Sequence, residues 1–164
     1  MTESLALRVP NESGLEYRRS LIADADTMSY NNGHGDNGGG AYRLTPEQCL
    51  RWWDYWNGQG NYYAYVVREA DGVPVGEVNI HFPDGYPRES GIGWIGVVIE
   101  AKHRRKGYGE AALRLLTDHA FGTLRLKKLL DDIPAERSSA RRIFECAGFR
   151  QNADGAMEIT NDGA

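Results

Sequence analysis

Two rhythms of apolar and polar residues run along the chain. Leu5 to Val9 is a short apolar run that suits a first strand, and Leu15, Tyr17, Leu21 and Ile22 give Glu12 to Ala23 a loosely helical pattern. Thr45, Pro46 and Gln48 supply a cap, a first-turn proline and the far half of a capping box, so a helix begins there and carries CLRWWDYWN. Tyr62 to Glu69 is apolar on both faces and reads as a central strand; Asp71-Gly72 is a hairpin turn after it. In the next strand, Val73 to Phe82, a period of two puts Val78, Ile80 and Phe82 on one face and Glu77, Asn79 and His81 on the other. Ile92 to Ile99 is again nearly continuous and apolar, broken only by Gly93 and Gly96, where a bulge or a close backbone approach is expected.

Helical spacing returns at Ala112, Leu115, Leu116 and Ala120, predicting a helix from Gly107 to Phe121. A short strand within Leu126–Ile133, a helix over Ser138–Ala147 stopped by Gly148, and a hairpin turning at Asp154-Gly155 complete the chain. The order predicts one α+β domain spanning residues 1–164, with a mixed, mostly antiparallel sheet flanked by helices. Its parallel crossover is the strand–helix–strand stretch 92–133. Residues 29–40, SYNNGHGDNGGG, hold neither periodicity; they read as a connector or as a lid or substrate loop.

Composition narrows the function classes. At 164 residues the chain is long enough for a core that needs no disulfide or metal. A net charge of −4 disfavours nucleic acid and anionic membranes as partners, so an anion site must be local. The first residues resemble no export signal and no apolar run is long enough for a span, so a cytoplasmic location is expected. Cys49 and Cys146 are far apart and read as buried, inert thiols, and the four histidines show no metal-binding spacing. No metal is expected.

Two glycine motifs stand out. Gly91-Ile92-Gly93-Trp94-Ile95-Gly96 has the letters of a dinucleotide fingerprint but continues into a strand where a helix is required. The second, Arg104-Arg105-Lys106-Gly107-Tyr108-Gly109-Glu110, follows an apolar strand and opens an amphipathic helix. Free N–H groups and the helix dipole would meet a diphosphate there, with Lys102, Arg104, Arg105 and Lys106 adding positive charge. With no GxxxxGK[ST], it is not a P-loop.

The pattern Arg104-x-x-Gly107-x-Gly109 after IGVVIEAKH, with ARRIFECAGF at 140–149, resembles the GNAT superfamily of acyl-CoA-dependent N-acyltransferases. The resemblance implies acetyl-CoA or coenzyme A as the ligand, its pyrophosphate on the backbone of residues 104–110. It implies that Val97, Val98 and Ile99 run along the pantetheine arm, with an N–H aimed at the thioester carbonyl where parallel strands splay. An amine then attacks directly, with no enzyme nucleophile.

An alkylammonium with a pKa of about 10.4 must first lose a proton, at a cost of roughly 4–5 kcal/mol at neutral pH. Candidate bases are Glu77 and His81 on the polar face of Val73–Phe82 and Asp131 and Asp132 at the end of the crossover strand; Glu77 and Asp132 rank together, then His81, working through water. Two positions depart from the family: Phe144 stands where many members have a tyrosine acid for the thiolate, and Arg137 where many have an asparagine on pantetheine. The leading expectation is acetylation of a small-molecule primary amine, with the cleft carboxylates favouring a cationic acceptor. Acetylation of a protein amino terminus or lysine, and a non-catalytic acyl-CoA sensor, are the alternatives. The sequence leaves the oligomeric state open, a homodimer included.

Overall fold

Strand β2 (Tyr62–Arg68) is buried along nearly its whole length, as its unbroken apolar run predicts, and lies between β1 (Leu5–Arg8) and β3 (Pro74–His81). It belongs to a seven-stranded sheet in the computed structural model, which describes residues 3–162; the outermost two residues at each end of the expected 1–164 domain lie outside it. Beyond β3 come β4 (Ile92–Ile99), β5 (Lys128–Asp131), and then β7 (Met157–Thr160) ahead of the two-residue β6 (Arg150–Gln151). All neighbours are antiparallel except β4 and β5, the ends of the predicted crossover.

Helices cover both faces of the sheet. On one face α4 (Tyr108–Gly122) and α5 (Ser138–Cys146) close a core of Val78, Ile80, Ile95, Leu113, Leu116, Leu129 and Phe149. On the other, α1 (Glu16–Ala23) and α3 (Pro46–Gly58) cover Tyr63, Tyr65 and Val67 with Leu15, Cys49 and Trp53. Each large apolar side chain buried this way is worth roughly 1.5–3 kcal/mol. The α3 start is as predicted: Gln48 N–H donates to Thr45 Oγ1 at 3.1 Å, and Thr45 N–H donates to Gln48 Oε1 at 2.8 Å.

Three local expectations are corrected, and one pair of alternatives is decided. The helix expected over Glu12–Ala23 begins as a single 3-10 turn at Glu12–Gly14, and α1 follows it. A one-turn helix, α2 (Ala25–Met28), is added where too few residues exist for periodicity to register; Asp24 caps it by accepting from Thr27 N–H. No bulge interrupts β4, whose register with β3 is continuous from Gly76↔Ile99 to His81↔Trp94. Gly93 and Gly96 serve close approach instead, since a Cβ would stand 2.7 Å from Ile80 Cγ2 and 2.6 Å from Asn79 Nδ2 respectively. Finally, Cys146 is exposed, because α5 buries Phe144 and turns the cysteine outward, whereas Cys49 is buried as expected.

The glycine-rich stretch folds back on itself. Gly33 N–H donates to Gly38 O at 2.7 Å, Gly40 N–H to His34 O at 2.8 Å, and Arg43 N–H to Asp36 Oδ2 at 2.8 Å. Gly40 needs its φ of +93°, and a Cβ there would collide with the Met28 carbonyl. This loop therefore packs against α2.

Candidate active site

The site begins with an interruption in the sheet. The β4–β5 pairing covers only Ile92–Trp94 against Lys128–Leu130, after which β5 ends at Asp131 while β4 runs on to Ile99. Glu100 N–H bonds to Val75 O at 2.9 Å, which fixes the phase of the β3–β4 ladder. By alternation, the backbone groups of Val98 and Gly96 also face β3, and those of Ile95, Val97 and Ile99 face away, into the widening gap. Of the three strand residues expected along the pantetheine arm, Val97 and Ile99 thus present backbone to the gap. Val98 presents its side chain to the α1/α3 face.

At the open end of β4 the chain turns into α4. Arg105, at φ +64°, and Gly107, at φ +79°, both occupy the left-handed region. Gly107 is the helix cap and offers no side chain, and the first N–H bonded within the chain is that of Ala111, to Gly107 O. Among the described residues the N–H groups of Tyr108, Gly109 and Glu110 are therefore the free donors of this helix start, beside the exposed Arg105 and Lys106. Such a concavity fits an anion of the diphosphate type. Arg104 is engaged elsewhere. Its Nη2 donates to Thr27 O at 2.9 Å and its Nε to Ile99 O at 3.3 Å, tying α2 to the end of β4. Ala101 N–H adds a bond to Thr27 Oγ1 at 2.9 Å.

On the α1/α3 face of β3, Glu77, Asn79 and His81 project in a row, as the period of two predicts. Glu77 is 6% exposed and both its oxygens are taken: Arg18 Nη1 donates to Oε1 at 2.9 Å and to Oε2 at 2.8 Å, and the Tyr63 hydroxyl donates to Oε2. Arg18 Cζ also lies 3.7 Å from the Trp52 ring centroid. Burial alone would lower the Arg18 pKa, but the Glu77 charge more than offsets it and keeps the guanidinium protonated. Burial and the same carboxylate push the Tyr63 phenol well up. The Glu77 carboxylate is thus spent on a buried cation. It brings no free negative charge to the face, so the expected bias toward cationic acceptors loses its main source.

His81 is differently placed. Its Nδ1 lies 3.0 Å from Asn79 Oδ1, an atom that only accepts, so Nδ1 carries the hydrogen and Nε2 keeps its lone pair. Burial lowers the His81 pKa, which leaves the ring neutral near pH 7. Trp56 stacks obliquely beside it at 5.9 Å, and Trp94 stands opposite it in register. Asp132 is exposed, whereas its neighbour Asp131 is largely buried and its carboxyl is pushed up to about 7, mainly by desolvation. Phe144 packs edge-on against Phe149 at 4.9 Å in the core and brings no proton.

Sequence reasoning missed Arg18, although Leu15, Arg18 and Ile22 stand on one helical stripe whose apolar members are both buried. It also missed Tyr30, whose ring lies 4.7 Å under the Arg137 guanidinium.

A strand that parts from its parallel neighbour and leads to a helix start with free N–H groups leaves room for an extended ligand that ends in an anion. The acetyltransferase (GNAT) domain family matches residues 5–150, and the chain belongs to that family. An uncharacterized N-acetyltransferase p20 of Bacillus licheniformis is 26% identical over 94 residues, which is 57% of this chain and 51% of that protein; the match spans about half the length of the curated relative. Among solved structures, an acetyltransferase of the GNAT family from Bacillus anthracis superposes with a TM-score of 0.71 at 19% identity, covering 98% of this chain and 96% of that one. The spermidine N-acetyltransferase of Vibrio cholerae, in complex with CoA and spermine, gives 0.77 at 16% identity with 95% of each chain covered. The aminoglycoside acetyltransferase AAC(6')-Ib, in complex with coenzyme A and kanamycin, gives 0.76 at 19% identity, covering 96% of this chain and 95% of that one. These likenesses establish the fold.

Proposed function

We propose that the protein transfers the acetyl group of acetyl-CoA directly to the primary amine of a small molecule. The observation that carries this reading is a pair of donor sets at one end of the sheet: the N–H groups of Val97 and Ile99, turned away from β3 beyond the β5 pairing, and those of Tyr108, Gly109 and Glu110 at the α4 start, unpaired among the described residues. Neutral backbone donors along the edge would hold the pantetheine amides. The Arg105–Glu110 turn would hold the pyrophosphate, with Lys106 supplying charge. In this reading an N–H of Val97 or Ile99 would meet the thioester oxygen as it gains negative charge, the largest usual contribution to such a transfer.

His81 is the base in this reading. Its free Nε2 accepts the ammonium proton, and Asn79 holds the ring in the tautomer that makes this possible. Glu77 holds Arg18 and Tyr63 in place, and Asp132 is open to solvent. Two of the fold neighbours are in complex with spermine and with kanamycin, amines of quite different shape. Here the row of Trp56, His81 and Trp94 would line the acceptor's approach.

Thiol release from acetyl-CoA with an amine panel tests the reading. Turnover on at least one small amine, and loss of about a hundredfold in His81→Gln near pH 7 with a smaller loss near pH 9, is the expected outcome. Binding of CoA with no turnover on any amine or peptide would mark an acyl-CoA sensor instead. Turnover on peptides alone would mark a protein acetyltransferase.

A further inference from the structure

One side-chain pair reaches across the gap between β4 and β5. On the β4 side, Thr27 and Arg104 fasten α2 to the strand's end, and Tyr30 follows on the next turn, Ser29–Asn31. On the β5 side, the chain leaves Asp131 and reaches Arg137, the cap of α5. The Arg137 Cζ stands 4.7 Å from the Tyr30 ring centroid, so the pair reaches from one arm of the gap to the other.

Three tyrosines at the α1/α3 face are committed. Tyr17 donates to Glu100, Tyr63 to Glu77 and Tyr65 to Gly14 O. Tyr30 makes no side-chain hydrogen bond among the described residues, and its hydroxyl is free to donate. A thiolate leaving the acyl donor is the base of a thiol with a pKa comparable to cysteine, about 8.5, and takes up a proton near neutrality.

We infer that Tyr30 donates that proton to the departing sulfur, with Arg137 holding its ring across the gap. The inference rests on the transfer reading above. In the step, the amine nitrogen bonds to the thioester carbonyl carbon, the C–S bond breaks and its electron pair stays on sulfur. The Tyr30 O–H gives its proton to that sulfur, water reprotonates the phenolate, and His81 receives the proton lost by the amine. Burial and then Glu77 raise the phenol's pKa and keep it protonated at rest, while Arg137 opposes them and favours the transient phenolate. Arg137 is a positioning residue, acting through the ring it covers.

Tyr30→Phe is the test, read against two donors. With acetyl-CoA, kcat should fall about tenfold to a hundredfold, the usual range for one proton donor. With an acetyl ester of a much more acidic aromatic thiol, whose thiolate needs no proton, the loss should largely vanish. Arg137→Ala should cost activity in the wild type and add little in the Tyr30→Phe background. A readout without turnover is the thiolate absorbance of bound CoA, which should appear at higher pH in Tyr30→Phe because a donor to the thiolate is gone. Equal loss with both donors, no loss with acetyl-CoA, or an unchanged thiol titration would overturn the role of Tyr30 while leaving the transfer reading intact. Failure of the wild type to turn over any amine would overturn the reading itself and the inference with it.

Discussion

Asp131 shows how much one residue's orientation decides. The sequence presents two adjacent aspartates, and the carboxylate that enters the interior is fixed by pairing: Asp131 stands opposite Met157 on β7, sharing a face with Leu129, while Asp132 is already past the strand. Nothing in the Asp131-Asp132 dipeptide reveals where β5 stops, so the sequence alone does not separate the buried carboxyl from the exposed one. Folding leaves Asp131 protonated up to about pH 7, chiefly through desolvation, against an ordinary value of 3.8. Between those values the folded state binds more protons than the unfolded, so stability falls as pH rises, and the cost is complete above the folded pKa. Asp131→Asn removes this titration. Its stability relative to wild type should rise by about 1.4 kcal/mol per pH unit from about pH 4 to pH 7 and then level off. Urea unfolding of both proteins at acid and mildly alkaline pH checks this, and a constant difference across that range would show that the carboxyl is better solvated than its burial indicates.

At the scale of elements, what was legible tracks how local the cause is. The α3 capping box, the alternation of β3 and the glycine turn before α4 are each set by a handful of neighbouring residues, and all three stand as the pattern predicts. The one-turn α2 and the two-residue β6 depend on tertiary partners and left no period to read. The same holds for the Glu77–Arg18 pair, which joins residues 59 apart in sequence. Even at the α4 start the motif needed correction, for the structure spends Arg104 on Thr27 O and leaves Arg105 and Lys106 outward. Because both are exposed, reversing their charge should leave folding intact while placing two anions beside the free N–H groups. Arg105→Glu/Lys106→Glu should therefore weaken CoA binding by about tenfold or more at low ionic strength, and by less at about 1 M salt, where the Debye length shrinks to about 3 Å. Calorimetric titration at the two salt levels measures it. An affinity unchanged at low salt would place the pyrophosphate elsewhere.

Across the whole molecule, the sheet is uneven in how firmly it is held. The β1–β2–β3–β4 half is held by long ladders, with one register shift at Val66/Val67, and is packed on both faces, whereas the β5–β7–β6 half joins it through only three paired positions of β4. Below that junction the halves are linked by α4 and α5 and by the Tyr30–Arg137 contact. A molecule lying in the gap, with its diphosphate on the α4 start and its amides on Val97 and Ile99, would bridge the two halves with bonds that the protein alone does not make. Such a ligand must stabilise the fold in proportion to its saturation, by about 2.7 kcal/mol at a hundred times its Kd. For a chain of this length that corresponds to a Tm increase of roughly 5–10 °C. The protection should also be local: amide exchange should slow at Val97, at Ile99 and at Tyr108–Glu110, and remain unchanged in β2, which lies away from the gap between β1 and β3. A thermal shift spread evenly over all strands would mean that CoA acts on the fold as a whole. A shift absent at saturating CoA would remove these donors as the site, and with them the reason to place the thioester between β4 and β5.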